Sequence, residues 1–328
     1  MYEIRRKQRI GGFLLAFEIG YALFHWNRSS INRMIGKYCF KSLRKTRFML
    51  HGAAGRFSDF SKEKGRIMMT FTDLHSHIAW DVDDGCSCIE ETTDALSMAK
   101  EDGILHIAST PHIIPGYTSK EEIADIRERQ EELKELAASM GITVYSAGEI
   151  RLNENFLNGL LNNLYPVINN GPYMLVEFCV NEDFSSQAHL ADLLYEIKVR
   201  KMIPVIAHVE RYFHKKLDFE VLDEWMDAGF VFQINATSLR GEDSPRSKKN
   251  AWTLLKKGYA HLVATDTHHA SGRRIEELSS VYDAIADEIG EDAAELLLVD
   301  NPQAILRGEE VEDLEPTEKP KSKLWFWK

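Results

Sequence analysis

Seven short apolar runs alternate with helix-like segments between Phe71 and Gly290, and that alternation leaves the chain few folds to choose from. The runs are FTDLH, ILHIAST, ITVYSAGE, YMLVEF, IPVIAH, FVFQINA and AHLVATD, the last ending at Asp266. The stretches between them carry helix punctuation. IEETTDALSMAKED is stopped by Gly103, and Ser119 with Glu122 three residues on makes a capping box for a long charged helix reaching Gly141. Further helices are expected over residues 187–201, 218–229, 244–258 and 272–290. Strands alternating with helices predict a parallel sheet with helices outside. The strand cores are nearly unbroken apolar runs, as strands buried on both faces require.

The residues at the strand ends narrow the fold further. The first run leads into His75 and His77, then a loop with Asp81, Asp83 and Asp84. The second leads to His112, the third to Glu149, the fourth to Glu177, the fifth to His208, and the seventh to Asp266 and His268. Only the sixth departs, with Gln233 and Asn235. Imidazole and carboxylate are ordinary ligands of zinc, manganese and iron. In a barrel of parallel strands every C-terminal end lies on one face, where active sites are built. Residues i and i+2 on a strand point the same way, so His75 with His77 and Asp266 with His268 each grip from one side. An open sheet would leave the first and seventh strands apart. The expected fold is therefore an α/β barrel of seven strands.

Singly, these signals are weak: an H-x-H pair or a strand-end glutamate is commonplace. Their recurrence on six of seven strands carries the metal-site reading. The other histidines contrast with them. His106 lies mid-strand, His189 on a helix, His261 at a strand start, and His214 and His269 flank the expected site.

Charge divides the chain. Residues 1–68 hold 15 basic and 4 acidic residues, whereas the remainder, with 25 and 47, has a net charge of −22. An acidic main domain argues against a nucleic-acid partner, which needs basic surface. The apolar stretch Gly11–Trp26 is interrupted by Glu18 and is shorter than the ~20 residues that span a bilayer. Residues 1–68 thus admit three readings: an extension without a folded role before a working chain that begins near Met68 or Met69, a basic membrane-surface segment, or a signal peptide. The main domain is expected over 69–308, and the charged, proline-containing 309–328 is expected to be a disordered tail. The four cysteines show neither a disulfide framework nor a C-x-x-C pair, so a reducing, cytoplasmic setting is expected.

The segments DLHSHIAWDVDDG, ASTPHIIPGY, SAGEIR, LVEF, IAHVERY and LVATDTHHASGRR resemble the polymerase-and-histidinol-phosphatase superfamily, over Phe71 to Gly308. They look most like its manganese-dependent bacterial tyrosine-protein phosphatases of capsular and exopolysaccharide gene clusters. That resemblance implies a distorted (β/α)7 TIM-like barrel with three divalent metal ions, Mn2+ or alternatively Fe or Zn. One would be held by His75, His77, Glu149 and Asp266, a second by Glu149, Glu177 and His208, and a third by Asp84, His112 and His268. Arg211 and Arg273 match phosphate-binding arginines, with the adjacent Arg274 as the alternative to Arg273, and Asp84 or His268 would be the group to protonate the leaving oxygen. The implied partner is a phosphotyrosine protein, a bacterial tyrosine kinase, with membrane contact only indirect or through residues 1–68. A small-molecule phosphoesterase, such as a histidinol-phosphate phosphatase, and a non-catalytic phosphotyrosine-binding regulator are the alternatives. No C-x-x-x-x-x-R loop is present, so a cysteine nucleophile is not expected.

Overall fold

The structure is a computed structural model and describes residues 69–317. The basic segment 1–68 and the closing 318–328, with the readings given for them, lie outside the described residues.

All seven expected strands form, and every pairing between them is parallel. They appear as nine segments: β1 Phe71–Ser76, β2 Ile104–Ser109, β3 His112–Ile113, β4 Thr143–Ser146, β5 Glu149–Arg151, β6 Tyr173–Glu177, β7 Ile203–Ile206, β8 Val231–Asn235 and β9 Leu262–Ala264. The second and third strands are each broken in two. Their first halves pair in the order β1-β2-β4, and their second halves join the order β3-β5-β6-β7-β8-β9. At the breaks, Gln130, buried on the helix Lys120–Ser139, donates its side-chain amide at 2.9 Å both to Ala147 O and to Ser109 O, the latter also accepting from Ala147 N–H. A buried carbonyl must be paired, so this glutamine is part of the barrel's construction.

The sheet curls until its ends meet. Ser76 bridges Thr267, with His77 N–H donating to Thr267 O at 2.7 Å and Asp266 N–H to His75 O at 2.8 Å. The result is a distorted α/β barrel fastened beside the C-terminal ends of its strands. Alternation along the strands sorts the apolar residues. Leu74, Leu175, Val205, Val231 and Leu262 fill the interior, joined by Ile305 and Leu306 of the helix Asn301–Arg307. Ile107, Val176, Ile206, Phe232 and Val263 face outward into the larger core that includes the helices. Both faces are dry, which is why the strand sequences read as continuous apolar runs.

Two expectations need correction. The helix read over 272–290 is regular only over Ser279–Ile289. Arg274 adopts a left-handed backbone (φ 58°) and Glu276 turns inward to Ser76, so the first seven residues form a loop at the rim. The disordered tail does not hold for residues 309–317. Tyr173 donates to Glu309 O, Asn301 exchanges hydrogen bonds with Glu312, Leu314 is buried, and Thr317 N–H donates to Lys256 O. Its charges stay in water while its backbone finds partners.

Candidate metal centre at the barrel rim

The loop after β1 folds back tightly. Asp81 N–H reaches Cys86 O and Cys86 N–H reaches His77 O. Gly85 makes this possible, because a Cβ there would lie 2.0 Å from His77 O. The turn brings Asp83 and Asp84 over the two histidines of β1. His208 and Asp266, at the ends of β7 and β9, both have left-handed backbones (φ 31° and 55°), a strained conformation that directs their side chains into the rim. Tyr212 stabilises this end: its hydroxyl donates to Ala207 O and accepts from Phe178 N–H.

All nine expected ligand residues meet there. Their donor atoms form four overlapping groups, each within 4.8 Å: His75–His77–Asp266, His75–Glu149–His208, His112–Glu149–Glu177, and His77–Asp84–His112–His268. Glu149 is the hub. Its Oε2 lies 3.3 Å from His75 Nε2, 3.4 Å from His77 Nε2 and 3.0 Å from His112 Nδ1, and its Oε1 lies 3.0 Å from His208 Nε2. His77 belongs to two of these groups, with His75 and Asp266 and with Asp84, His112 and His268.

His208 Nδ1 is buried with no hydrogen bond, and Glu149 Oε2, His112 Nδ1 and His268 Nε2 meet one another or Asp84 only at ion-pair distance, without hydrogen-bond geometry. The Nε2 atoms of His75 and His77 face each other at 3.2 Å. Buried polar atoms are normally paired, and a converging set of nitrogen and oxygen lone pairs is what a divalent cation requires. The donor set therefore fits metal ions. Burial opposes a charge on His75 and His112, but Glu149, with Asp266 for His75, outweighs it and raises them to about 9 and about 10. Burial alone pushes Glu149 up, yet the surrounding imidazoles hold it well below the usual carboxylate range. Glu177 rises to about 7 through burial and the nearby Glu149.

Supporting residues fix the orientation of the donors, and sequence reading missed most of them. Asp83 accepts from His77 Nδ1 at 2.7 Å and from His112 N–H at 2.9 Å, leaving His77 Nε2 for the cage. Arg151 Nε donates to Glu177 Oε1 at 2.7 Å. His268 Nδ1 pairs with the Asp266 carbonyl at 3.0 Å. The alternating E-x-R of SAGEIR could have signalled Arg151, since residues two apart share a face. Nothing in DVDDG distinguished Asp83 from its neighbours.

The arginines divide between the cage and the surface. Arg211 is mostly buried, with Nη1 3.6 Å from Asp266 Oδ2. Arg273 is exposed and donates to Glu242 O. Its neighbour Arg274 reaches the cage instead, at 2.5 Å from Asp266 Oδ1 and 3.1 Å from the Asp266 carbonyl. The left-handed backbone at Arg274 turns its side chain inward. Asp84, with a side chain 68% exposed, stands 3.4 Å from both His112 and His268 at the mouth. Three other described histidines serve other ends. His106 meets Tyr145, His214 binds the Val180 carbonyl, and His261 Nδ1 accepts from Phe232 N–H.

Comparison with known proteins agrees with this picture. The chain is 33% identical to the tyrosine-protein phosphatase CpsB of Streptococcus pneumoniae over 241 residues, 71% of this chain and 97% of the relative. It is 27% identical to the tyrosine-protein phosphatase YwqE of Bacillus subtilis over 242 residues, 73% of this chain and 92% of the relative. A crystal structure from work on YwqE and CpsB, described there as metal-dependent tyrosine phosphatases, superposes with a TM-score of 0.62 at 23% identity, over 76% of this chain and 100% of the other. At that identity the superposition speaks for the fold. The domain model for capsular polysaccharide synthesis, CpsB/CapC, matches residues 71–307, from the first strand through the helix that closes the barrel interior. With the match spanning barrel and rim alike, the chain belongs to the CpsB/CapC family of capsular polysaccharide synthesis proteins.

Proposed function

We propose that the protein is a metal-dependent protein-tyrosine phosphatase. The observation that carries this reading is the convergence of five imidazoles and four carboxylates on one rim, with several buried donor atoms left without a hydrogen bond. The related CpsB and YwqE proteins, named as tyrosine-protein phosphatases, support it.

In this reading three divalent ions, Mn2+ in the first instance, are held by the residue sets the resemblance implies, with His77 also close to the third set. Such ions supply Lewis acidity toward phosphoryl oxygens and lower the pKa of water. The chain's own groups do the rest. Arg211 and Arg274 offer planar paired donors to the phosphate oxygens, and Arg274 takes the role that sequence comparison gave to Arg273. The tyrosine phenolate, with a pKa of about 10, is a good leaving group and needs no strong acid. Asp84 at the mouth, or His268 behind it, is the group that meets the leaving oxygen.

The substrate is a phosphotyrosine protein, a bacterial tyrosine kinase governing capsule or exopolysaccharide synthesis, and the setting is cytoplasmic. No helix among the described residues is long and apolar enough to cross a membrane. The test is hydrolysis of a tyrosine phosphopeptide and of histidinol phosphate side by side with added Mn2+, together with elemental analysis of the purified protein. Phosphopeptide turnover with bound metal is expected. Preference for histidinol phosphate would move the protein to small-molecule phosphoesterases. Tight phosphopeptide binding without turnover would make it a regulator.

A further inference from the structure

We propose that Gln233 and Asn235 form a one-way hydrogen-bond relay that sets which atoms of His75 and Asp266 face the cage. The inference rests on the metal-site reading above. Strand β8 is the barrel strand without a ligand-type side chain, yet both of these amides are completely buried. Polarity along the relay is fixed from both ends. His208 N–H can only donate, so the Gln233 atom 2.8 Å from it is the oxygen. Gln233 Nε2 is then a donor, and it lies 2.7 Å from Asn235 Oδ1. Asn235 Nδ2 in turn donates to Asp266 Oδ2 at 2.7 Å. An ionised carboxylate can only accept, so the far end demands the same direction.

Two consequences follow for the cage. The Gln233 oxygen also lies 3.1 Å from His75 Nδ1, which must then carry a hydrogen. His75 therefore presents Nε2 to Glu149, Asp266 and His77. Asp266 Oδ2 accepts from Asn235, which turns Oδ1 toward His75 Nε2 at 3.4 Å, where it also accepts from Arg274. Gln233 and Asn235 are positioning residues. They tie the ends of β1, β7 and β9 to β8 and hold the donors that the strained backbones at His208 and Asp266 turn inward.

Two shape-conserving substitutions test the relay. Gln233→Glu keeps an acceptor for His208 N–H and His75 but sets a second acceptor against Asn235 Oδ1. Asn235→Asp sets an acceptor against Asp266 Oδ2. If Gln233 acted only as an acceptor behind His75, a carboxylate there would keep or tighten metal binding, as acidic partners of metal-bound imidazoles do. The relay predicts the reverse: Mn2+ affinity measured by titration calorimetry falls about 10- to 100-fold in both variants. Unchanged or tighter binding by Gln233→Glu overturns the relay while leaving the metal-site reading intact. A wild-type protein that takes up no Mn2+ overturns both. Where a variant does not fold, the wild type loaded with Zn2+ decides: 1H–15N spectra should show His75 protonated at Nδ1 and metal-bound at Nε2, and the opposite arrangement refutes the relay.

Discussion

The barrel interior and the floor of the rim cage are equally buried but hold opposite kinds of atom. Leu74 and Leu175 inside are 1% exposed, and so are Glu149 and Asp266 at the rim. Inside, burial itself stabilises, roughly in proportion to the apolar area removed from water. At the rim, burial costs free energy unless every polar atom finds a partner, and several here lack a hydrogen bond within the chain. The difference teaches where each property resides: the interior carries the fold, and the rim carries a binding capacity that the fold maintains against its own stability.

The largest effect should come from breaking the rim. His208→Ala should lower phosphatase activity by more than the about 10- to 100-fold typical of losing a supporting residue, while the circular dichroism spectrum stays that of the wild type. Chelation should give the same loss, restored by Mn2+. Near-normal turnover with unchanged metal content would undo the division between rim and interior. The converse substitution, Leu175→Ala, should cost about 2–5 kcal/mol in denaturant unfolding with metal content unchanged. A smaller effect separates the adjacent arginines. Arg274→Gln should raise KM for phosphopeptide about tenfold, the loss of one charge-assisted hydrogen bond, whereas Arg273→Gln should change it less than about twofold.

The smallest effect concerns pH and lies away from the rim. Burial disfavours the His261 imidazolium and lowers its pKa below the usual value of 6.5, despite the nearby Asp313. A protonated ring also could not accept from Phe232 N–H at Nδ1. The unfolded chain therefore gains a proton below about pH 6.5 that the folded chain refuses. This contribution is complete above that pH and is lost as pH falls further. In chelated protein, His261→Asn should flatten the acid side of the stability–pH profile relative to the wild type.

Much of this architecture was legible in the residues. Strand positions followed from apolar runs such as YMLVEF, and the ligand-type side chains followed from their place at strand ends. Two kinds of feature were not. A left-handed arginine leaves no trace in composition, so the amphipathic pattern of RRIEELSS extended a helix across the loop that carries Arg274. Residues that support others are also hidden. Gln130, Asp83 and Gln233 each also act through a partner 17 to 158 positions away, and a single sequence does not show those pairings. The tail misled for a similar reason. Its charges suggested disorder, but its anchorage depends on Asn301 and on backbone groups that any residue supplies.

The hoop of strands is stitched shut by two backbone links, from His77 and Asp266, the same residues whose side chains reach into the cage. Loading with cations would consequently act as a clasp, and emptying would let this one seam breathe while the opposite wall stays shut. Amide exchange at His77 and Asp266 would then report occupancy directly, making the closure of the hoop itself a gauge of how full the protein is.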